Sequence, residues 1–145
     1  MSVREDIASN LVTTVNAISS PSIKKVSRQP FPLDELSQQQ YPAVLIQTIE
    51  ETKEDQELGS GAKTRIANLE FGITGYVKTN EDNIDTARNN LASAIETQLE
   101  SDITRGGNAL DTEVISIETD AGSLFPYGAV LMTIRVIYEH QSATP

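Results

Sequence analysis

The chain has 145 residues, which is enough for one domain with its own hydrophobic core, and its formal net charge at pH 7 is −10. An acidic chain whose eleven Lys and Arg residues are scattered is not expected to grip nucleic acid with its whole surface. The absence of Cys excludes disulfides and thiolate metal sites. The N-terminus has no basic segment followed by an apolar one, and no apolar run is long enough to span a membrane, so we expect a soluble cytoplasmic product without a membrane partner.

The N-terminal segment from Ser2 to Ile18 is predicted to form a helix. Ser2 and Glu5 have the spacing of a capping box. Apolar residues recur at helical spacing along the segment and make one stripe, which consists of Val3, Ile7, Leu11, Val15 and Ile18. The stripe needs a partner, which is either this chain's own sheet or a neighbouring subunit.

An irregular Pro-rich arm is predicted for residues 28–42, after a possible short strand over Ile23 to Ser27. Pro30, Pro32 and Pro42 prevent a regular strand in the arm. Long irregular segments in compact domains are often functional or docked on another surface. We therefore expect the arm to be functional or to be docked on another surface.

An acidic, flexible loop is predicted for residues 50–63, after an inner strand over Ala43 to Ile49. The loop is rich in charge and in Gly, which disfavours both packing and rigidity. It is either a projecting contact arm or an ordinary solvated hairpin tip. Its candidate contact residues are Glu50, Glu51, Glu54, Asp55, Glu57, Gly59, Gly61 and Lys63.

A long strand followed by a long helix forms the centre of the chain, from Arg65 to Arg105. Apolar and polar residues alternate up to Lys78, which predicts the strand. Gly72 and Gly75 interrupt this alternation and predict a bend, a bulge or a close backbone approach.

The helix is predicted from apolar residues at helical spacing between Ile84 and Ile103. Thr79 or Asn80 is the expected N-cap, and Gly106-Gly107 is expected to end the helix with Arg105 in its last turn. Arg88 lies largely outside the apolar stripe and is expected to face outward.

Two further strands are predicted over Thr112 to Thr119 and over Ala129 to His140. Short, direct connections favour antiparallel pairing, and the helices must cover a face of the sheet. The sequence therefore predicts one α+β domain over residues 1–145. It should hold a mostly antiparallel sheet of about four strands, packed with an N-terminal helix and a long central helix.

No catalytic, cofactor-binding or metal-binding motif is found, so we do not expect an enzyme. The segment from Leu58 to Thr64 invites comparison with a phosphate-binding loop, but Ala62 precedes the lysine where that loop needs Gly, and a strand follows it. His140, the single His, is expected to be exposed beside a frayed tail and without partners for a triad or metal site. Arg88 and Arg135 are interpreted as salt-bridge partners between subunits.

The order and texture of these elements resemble the bacteriophage tail terminator proteins, also called tail completion proteins. The resemblance spans nearly the whole chain. It includes the N-terminal helix, the Pro-rich arm, the strand that begins Tyr41 to Ile46, the acidic loop, the strand from Ile66 to Lys78, the central helix and the closing strands. Head–tail joining and neck proteins of similar size share much of this texture.

The resemblance implies a structural virion protein of the tail or neck, assembled in the host cytoplasm, that forms a hexameric ring. The ring would cap the tail tube, end tube polymerisation and join the tail to the head. The implied partners are other copies in a homo-hexamer, the tail tube protein, a neck or head–tail connector protein and, in a contractile tail, the sheath protein. Genome DNA would pass through the lumen without specific binding. The alternatives are another head–tail joining or neck protein, and a small non-viral ligand-binding domain.

Overall fold

The computed structural model describes residues 2–55, 64–78, 83–141 and 143–145, and all statements on structure refer to these ranges. They form two helices and five strands. In chain order these are α1 (Val3–Asn16), β1 (Lys25–Ser27), β2 (Ala43–Asp55), β3 (Thr64–Lys78), α2 (Ile84–Glu100), β4 (Asp111–Thr119) and β5 (Tyr127–Gln141). Two short 3-10 turns, Leu33–Glu35 and Gln38–Gln40, lie between β1 and β2.

The five strands form one sheet in the order β1-β2-β3-β5-β4. β1 pairs with β2 in parallel, and the other three pairings are antiparallel. The α+β class is therefore confirmed, and the sheet has five strands instead of about four. The fifth strand is β1, because three residues of the possible strand before the arm pair with the start of β2.

Both helices pack on the same face of the sheet, and the core lies between the helices and the sheet. Alternate residues of the two long central strands point into it, as the period of two predicts. They include Leu69, Phe71 and Ile73 of β3 and Met132, Ile134, Val136 and Tyr138 of β5, all fully buried or nearly so. Burial of this apolar area is the main stabilising term of the domain.

Helix α1 begins as predicted, because the Ser2 hydroxyl accepts a hydrogen bond from the Glu5 backbone N–H at 3.2 Å. Ile7, Leu11 and Val15 of its apolar stripe are fully buried. The helix contacts β1, β2 and α2 of its own chain. Ile7, Leu11 and Val15 of the stripe thus pack within this chain's own core.

The prediction of a loop over residues 50–63 is wrong for its first six residues. β2 continues to Asp55 and pairs in register with β3, with Glu54 opposite Ile66. Pairing with the long apolar strand β3 outweighs the low strand preference of the acidic residues. The rest of the predicted loop, with Glu57, Gly59, Gly61 and Lys63, lies outside the described residues.

Helix α2 is shorter than predicted at both ends. Its N-cap is Asn83, whose side chain accepts from the backbone N–H of Asp85 at 2.9 Å, so the predicted caps Thr79 and Asn80 are wrong. The helix ends at Glu100. Arg105 lies beyond it with a φ of 49°, and its buried guanidinium donates to the carbonyls of Leu99 and Asp102. A side chain thus satisfies the last helix carbonyls in place of a terminal Gly.

The Pro-rich arm folds back onto its own domain. The ring of Phe31 makes an edge contact with Tyr76, with centroids 5.8 Å apart, and Tyr41 contacts Tyr127 at the same distance. The Tyr41 hydroxyl donates to the carbonyl of Leu33 at 2.6 Å. The arm therefore packs against one end of the sheet.

Candidate functional site

The sheet face opposite the helices is largely open and acidic in the described part of the chain. One row across it follows from the strand register: Glu50 lies opposite Glu70, Glu70 opposite Arg135, and Arg135 opposite Glu113. Arg135 Nη2 lies 3.5 Å from Glu70 Oε1, and both side chains are partly exposed. One arginine therefore stands among three carboxylates.

A shallow depression of about 300 Å³ surrounds this row. Its lining consists of Glu50, Thr52, Glu54, Asn68, Glu70 and Arg135. Three of the predicted contact residues, Glu50, Glu54 and Arg135, thus come together on one open surface. Arg135 pairs within its own chain here, and its predicted pairing with another subunit stays a prediction.

Glu51 points to the other side of β2 and is held inside the chain. Arg4 donates to it from Nη2 at 2.6 Å and from Nε at 3.1 Å, and the Tyr138 hydroxyl donates to Oε1 at 2.6 Å. Burial raises the pKa of Glu51, but the bonds from Arg4 and Tyr138 outweigh it and lower the pKa to about 2. Glu51 is thus a link between α1, β2 and β5. Its predicted place in a solvated loop is wrong, and its predicted contact with a partner stays a prediction.

His140 is buried next to this cluster, so the prediction of an exposed terminal His is also wrong. Its Nε2 lies 3.0 Å from Lys53 Nζ, and its Nδ1 lies 2.6 Å from the carbonyl oxygen of Gln141. Lys53 Nζ also lies 3.4 Å from Glu51 Oε2. The histidine is buried because β2 and β5 both extend further than the sequence pattern indicates.

Arg88 is buried, although its position outside the apolar stripe predicted an outward side chain. Its Nη1 lies 2.5 Å from Asp120 Oδ1, and its Nη2 lies 3.1 Å from Asp85 Oδ1. Gly128 lets the Arg88 side chain lie close to the backbone of β5, because a Cβ at position 128 would lie 3.2 Å from Arg88 Cδ. The burial of Arg88 lowers its pKa, but the bonds to Asp120 and Asp85 raise it above the usual value. Arg88 therefore anchors the β4–β5 turn to α2. Its predicted outward orientation is wrong, and its predicted role in subunit contacts stays a prediction.

The β4–β5 turn carries an exposed apolar pair, Leu124 and Phe125, which we call the apolar tip. Phe125 is 66% exposed and Leu124 is 39% exposed. Asp120 organises the turn by accepting from the backbone N–H groups of Leu124 at 3.1 Å and Ala129 at 3.0 Å. The Phe125-Pro126 step in the sequence predicts a kink between the two closing strands, but no sequence pattern marks Phe125 as exposed.

A second concave surface, which we call the helix groove, lies between the end of α1 and the middle of α2. Its volume is about 620 Å³. The lining residues are uncharged and mostly small: Ala17, Ile18, Ser19, Ser20, Pro21, Asn90, Ser93, Ala94, Thr97 and Gln98. Sequence reasoning missed this groove, because it arises only where the two helices lie side by side.

Neither a metal-ligand cluster nor a helix able to span a membrane is found among the described residues. In these ranges no group of three or more His, Asp and Glu side chains is placed to hold a metal ion. None of the helices described is long and apolar enough to cross a membrane.

Comparisons with known proteins give matches among solved structures but none at the level of sequence. No protein-family model matches the chain, and no curated protein matches it. Among solved structures, a chain of the virion of a native gene transfer agent particle is similar at a TM-score of 0.46 and 9% sequence identity. The match covers 96% of each chain. At this level of similarity no functional conclusion follows from the match.

Proposed function

We propose that this protein is a virion structural protein that acts as a tail terminator: a homo-hexameric ring that caps the tail tube and joins the tail to the neck. The observation that carries the proposal is the order of elements in one α+β domain. It runs from α1 through the Pro-rich arm to the β2–β3 hairpin, then α2 and the β4–β5 hairpin. This is the order on which the resemblance to tail terminators rests.

In this proposal the protein works through geometry, without catalysis or a cofactor. Six identical head-to-tail contacts close into a ring, whereas the same kind of contact without closure would continue as a filament. One ring face stacks on the last tube ring and the other face differs, so tube growth ends. The neck or head–tail connector docks on that second face.

The open sheet face is suited to the ring lumen because of its charge. Glu50, Glu70 and Glu113 lie in one row across it, with a single arginine between them. Like charge keeps DNA from adsorbing to a surface, so genome DNA would pass an acidic lumen without specific binding.

Native mass spectrometry and electron microscopy of the purified protein test the ring. We expect hexamers, either alone or after addition of tail tube protein, and rings with a hole wide enough for duplex DNA. Addition to polymerising tail tube protein should shorten the tubes and place density at one tube end. A chain that stays monomeric and leaves tube length unchanged would contradict the proposal. Binding to the connector without binding to the tube would favour the alternative of a neck protein.

A further inference from the structure

We propose that the apolar tip of one copy inserts into the helix groove of the next copy and forms the contact that closes the ring. This inference rests on the proposed function, because it names the surfaces of the proposed subunit contact. The occupant of the groove is thus a second copy of this chain.

The tip is held in place before any partner arrives. Besides the two bonds to Asp120, the Ser123 hydroxyl donates to the Asp120 carbonyl at 2.9 Å, and the Tyr127 backbone N–H donates to the Leu124 carbonyl at 2.8 Å. The buried pair of Asp120 with Arg88 attaches this turn to α2. A turn whose backbone is already ordered loses little backbone entropy on binding, which favours Phe125 as an anchor residue.

The groove has the size and chemistry to receive such an anchor. The groove is an open depression of about 620 Å³, which leaves room for side chains of the size of Phe and Leu. Ile18, Pro21 and Ala94 supply apolar surface, and hydroxyl groups of serine and threonine surround it. A Phe and a Leu side chain fit a site of this kind, whereas a charged segment finds no opposite charge among its lining residues.

Charge favours a second copy as the occupant. At a net charge of −10, two copies repel each other, so their contact must join surfaces with little charge. No charged residue occurs between Asp6 and Lys24, and none occurs between Asp120 and Arg135. The groove segment from Ala17 to Pro21, which follows α1, lies in the first uncharged stretch. The apolar tip lies in the second.

The two surfaces lie in different parts of the fold, as a ring contact requires. The tip connects β4 to β5, and β4 is at one edge of the sheet. One side of the groove, the segment from Ala17 to Pro21, leads toward β1 at the opposite edge, and its other side is formed by residues 90–98 of α2. A contact between two different patches is head-to-tail, and head-to-tail contacts generate rings or filaments.

Single variants on each surface test the contact by sedimentation velocity and native mass spectrometry. We expect Phe125→Ser and Ser93→Arg each to weaken self-association at least about tenfold, as loss of an anchor or blockage of its site does. Leu110→Ser is the matched control for the tip, because Leu110 is 50% exposed at another place. Asn89→Arg adds the same charge to the exposed side of α2 outside the groove lining. Both controls should assemble like the wild type.

A charge-pair rescue separates direct contact from an effect on folding. Phe125→Asp alone should abolish assembly, and its combination with Ser93→Arg should restore part of it. The inference is overturned if the wild type forms rings and Phe125→Ser forms them equally well. In that outcome the proposal that the protein forms a ring still stands. It is also overturned if Phe125→Ser forms rings but loses tube binding, because the tip then binds the tube. A wild-type chain that never self-associates overturns the ring and the contact together.

Discussion

Glu51 joins three parts of the chain that are far apart in sequence. Its carboxylate accepts from Arg4 at the start of α1 and from Tyr138 in β5. Its side chain is mostly buried, so these bonds replace the water that it loses on folding. The N-terminal helix is thereby attached to the sheet at one defined point.

We expect the stability of the wild type to fall on acidification more steeply than that of Glu51→Gln. The folded-state pKa of Glu51 is about 2, below its ordinary value of 4.5, so its contribution is complete above that ordinary value and is lost as pH falls toward 2. A lowering of this size corresponds to roughly 3 kcal/mol of folding free energy. Urea denaturation between pH 7 and pH 3 measures it, with Glu70→Gln as the control at a more exposed ion pair. Parallel curves for wild type and Glu51→Gln would contradict this assignment.

Arg88 and Arg135 provide a comparison of a buried and an exposed ion pair in one molecule. Arg88→Ala leaves Asp120 buried without its charged partner and should cost about 3 kcal/mol of unfolding free energy. Arg135→Ala removes a pair at 3.5 Å between partly exposed side chains and should cost less than about 1 kcal/mol. Chemical denaturation at pH 7 measures both. Equal losses for the two variants would show that the Arg88 pair is solvated.

At the scale of elements, two glycines let α2 lie close to the sheet. A Cβ at position 75 would lie 2.6 Å from Leu91 Cδ2, and one at position 128 would lie 2.8 Å from Ile84 Cγ1. Gly72 is on the open face, where a Cβ would lie 3.1 Å from the end of the Ile49 side chain. Of the alternatives that these glycines indicate, the close approach is confirmed at Gly75. The register shift nearby lies in β2, between Thr48 and Glu50, where Ile49 has no partner in β3.

Gly75→Ala should therefore destabilise the protein by about 1–3 kcal/mol, since the added methyl group displaces a fully buried leucine. Gly72→Ala is the matched control and should cost less than about 1 kcal/mol, because the exposed Ile49 side chain can move aside. Thermal and chemical denaturation compare the two variants. A larger loss for Gly72→Ala would contradict the assignment of the buried face.

At the scale of the whole molecule, net charge opposes the proposed self-assembly. With a formal charge of −10, each copy repels its neighbours at low ionic strength. The tip and the groove lining carry no charge, so salt has few attractive ion pairs to weaken at that contact.

We accordingly expect self-association to strengthen when the salt concentration rises from about 20 mM to about 150 mM, where the Debye length falls to about 8 Å. Sedimentation velocity at several salt concentrations measures the dependence, and Phe125→Ser serves as a control with weakened association throughout. Association that weakens steadily with salt would show that charge pairs, and not the tip, carry the contact.

Elements that follow from local patterns were predicted well, and side chains that depend on distant partners were not. The alternation around Phe71 and the stripe through Leu11 identify their buried faces correctly. The environments of Glu51, Arg88 and His140 were predicted wrongly, because no local pattern announces their partners. The groove was missed for the same reason.

The sequence alone determined the α+β class, the buried faces of α1, α2, β3 and β5, and the capping of α1 by Ser2, because residues a few positions apart decide these features. Only the tertiary structure decided where the charged and apolar side chains of the surface lie. Arg4 and Glu51 are 47 residues apart, Arg88 and Asp120 are 32 apart, and Lys53 and His140 are 87 apart. Such pairs form when the sheet and helices bring distant segments together, and the same packing leaves Phe125 exposed and opens the helix groove.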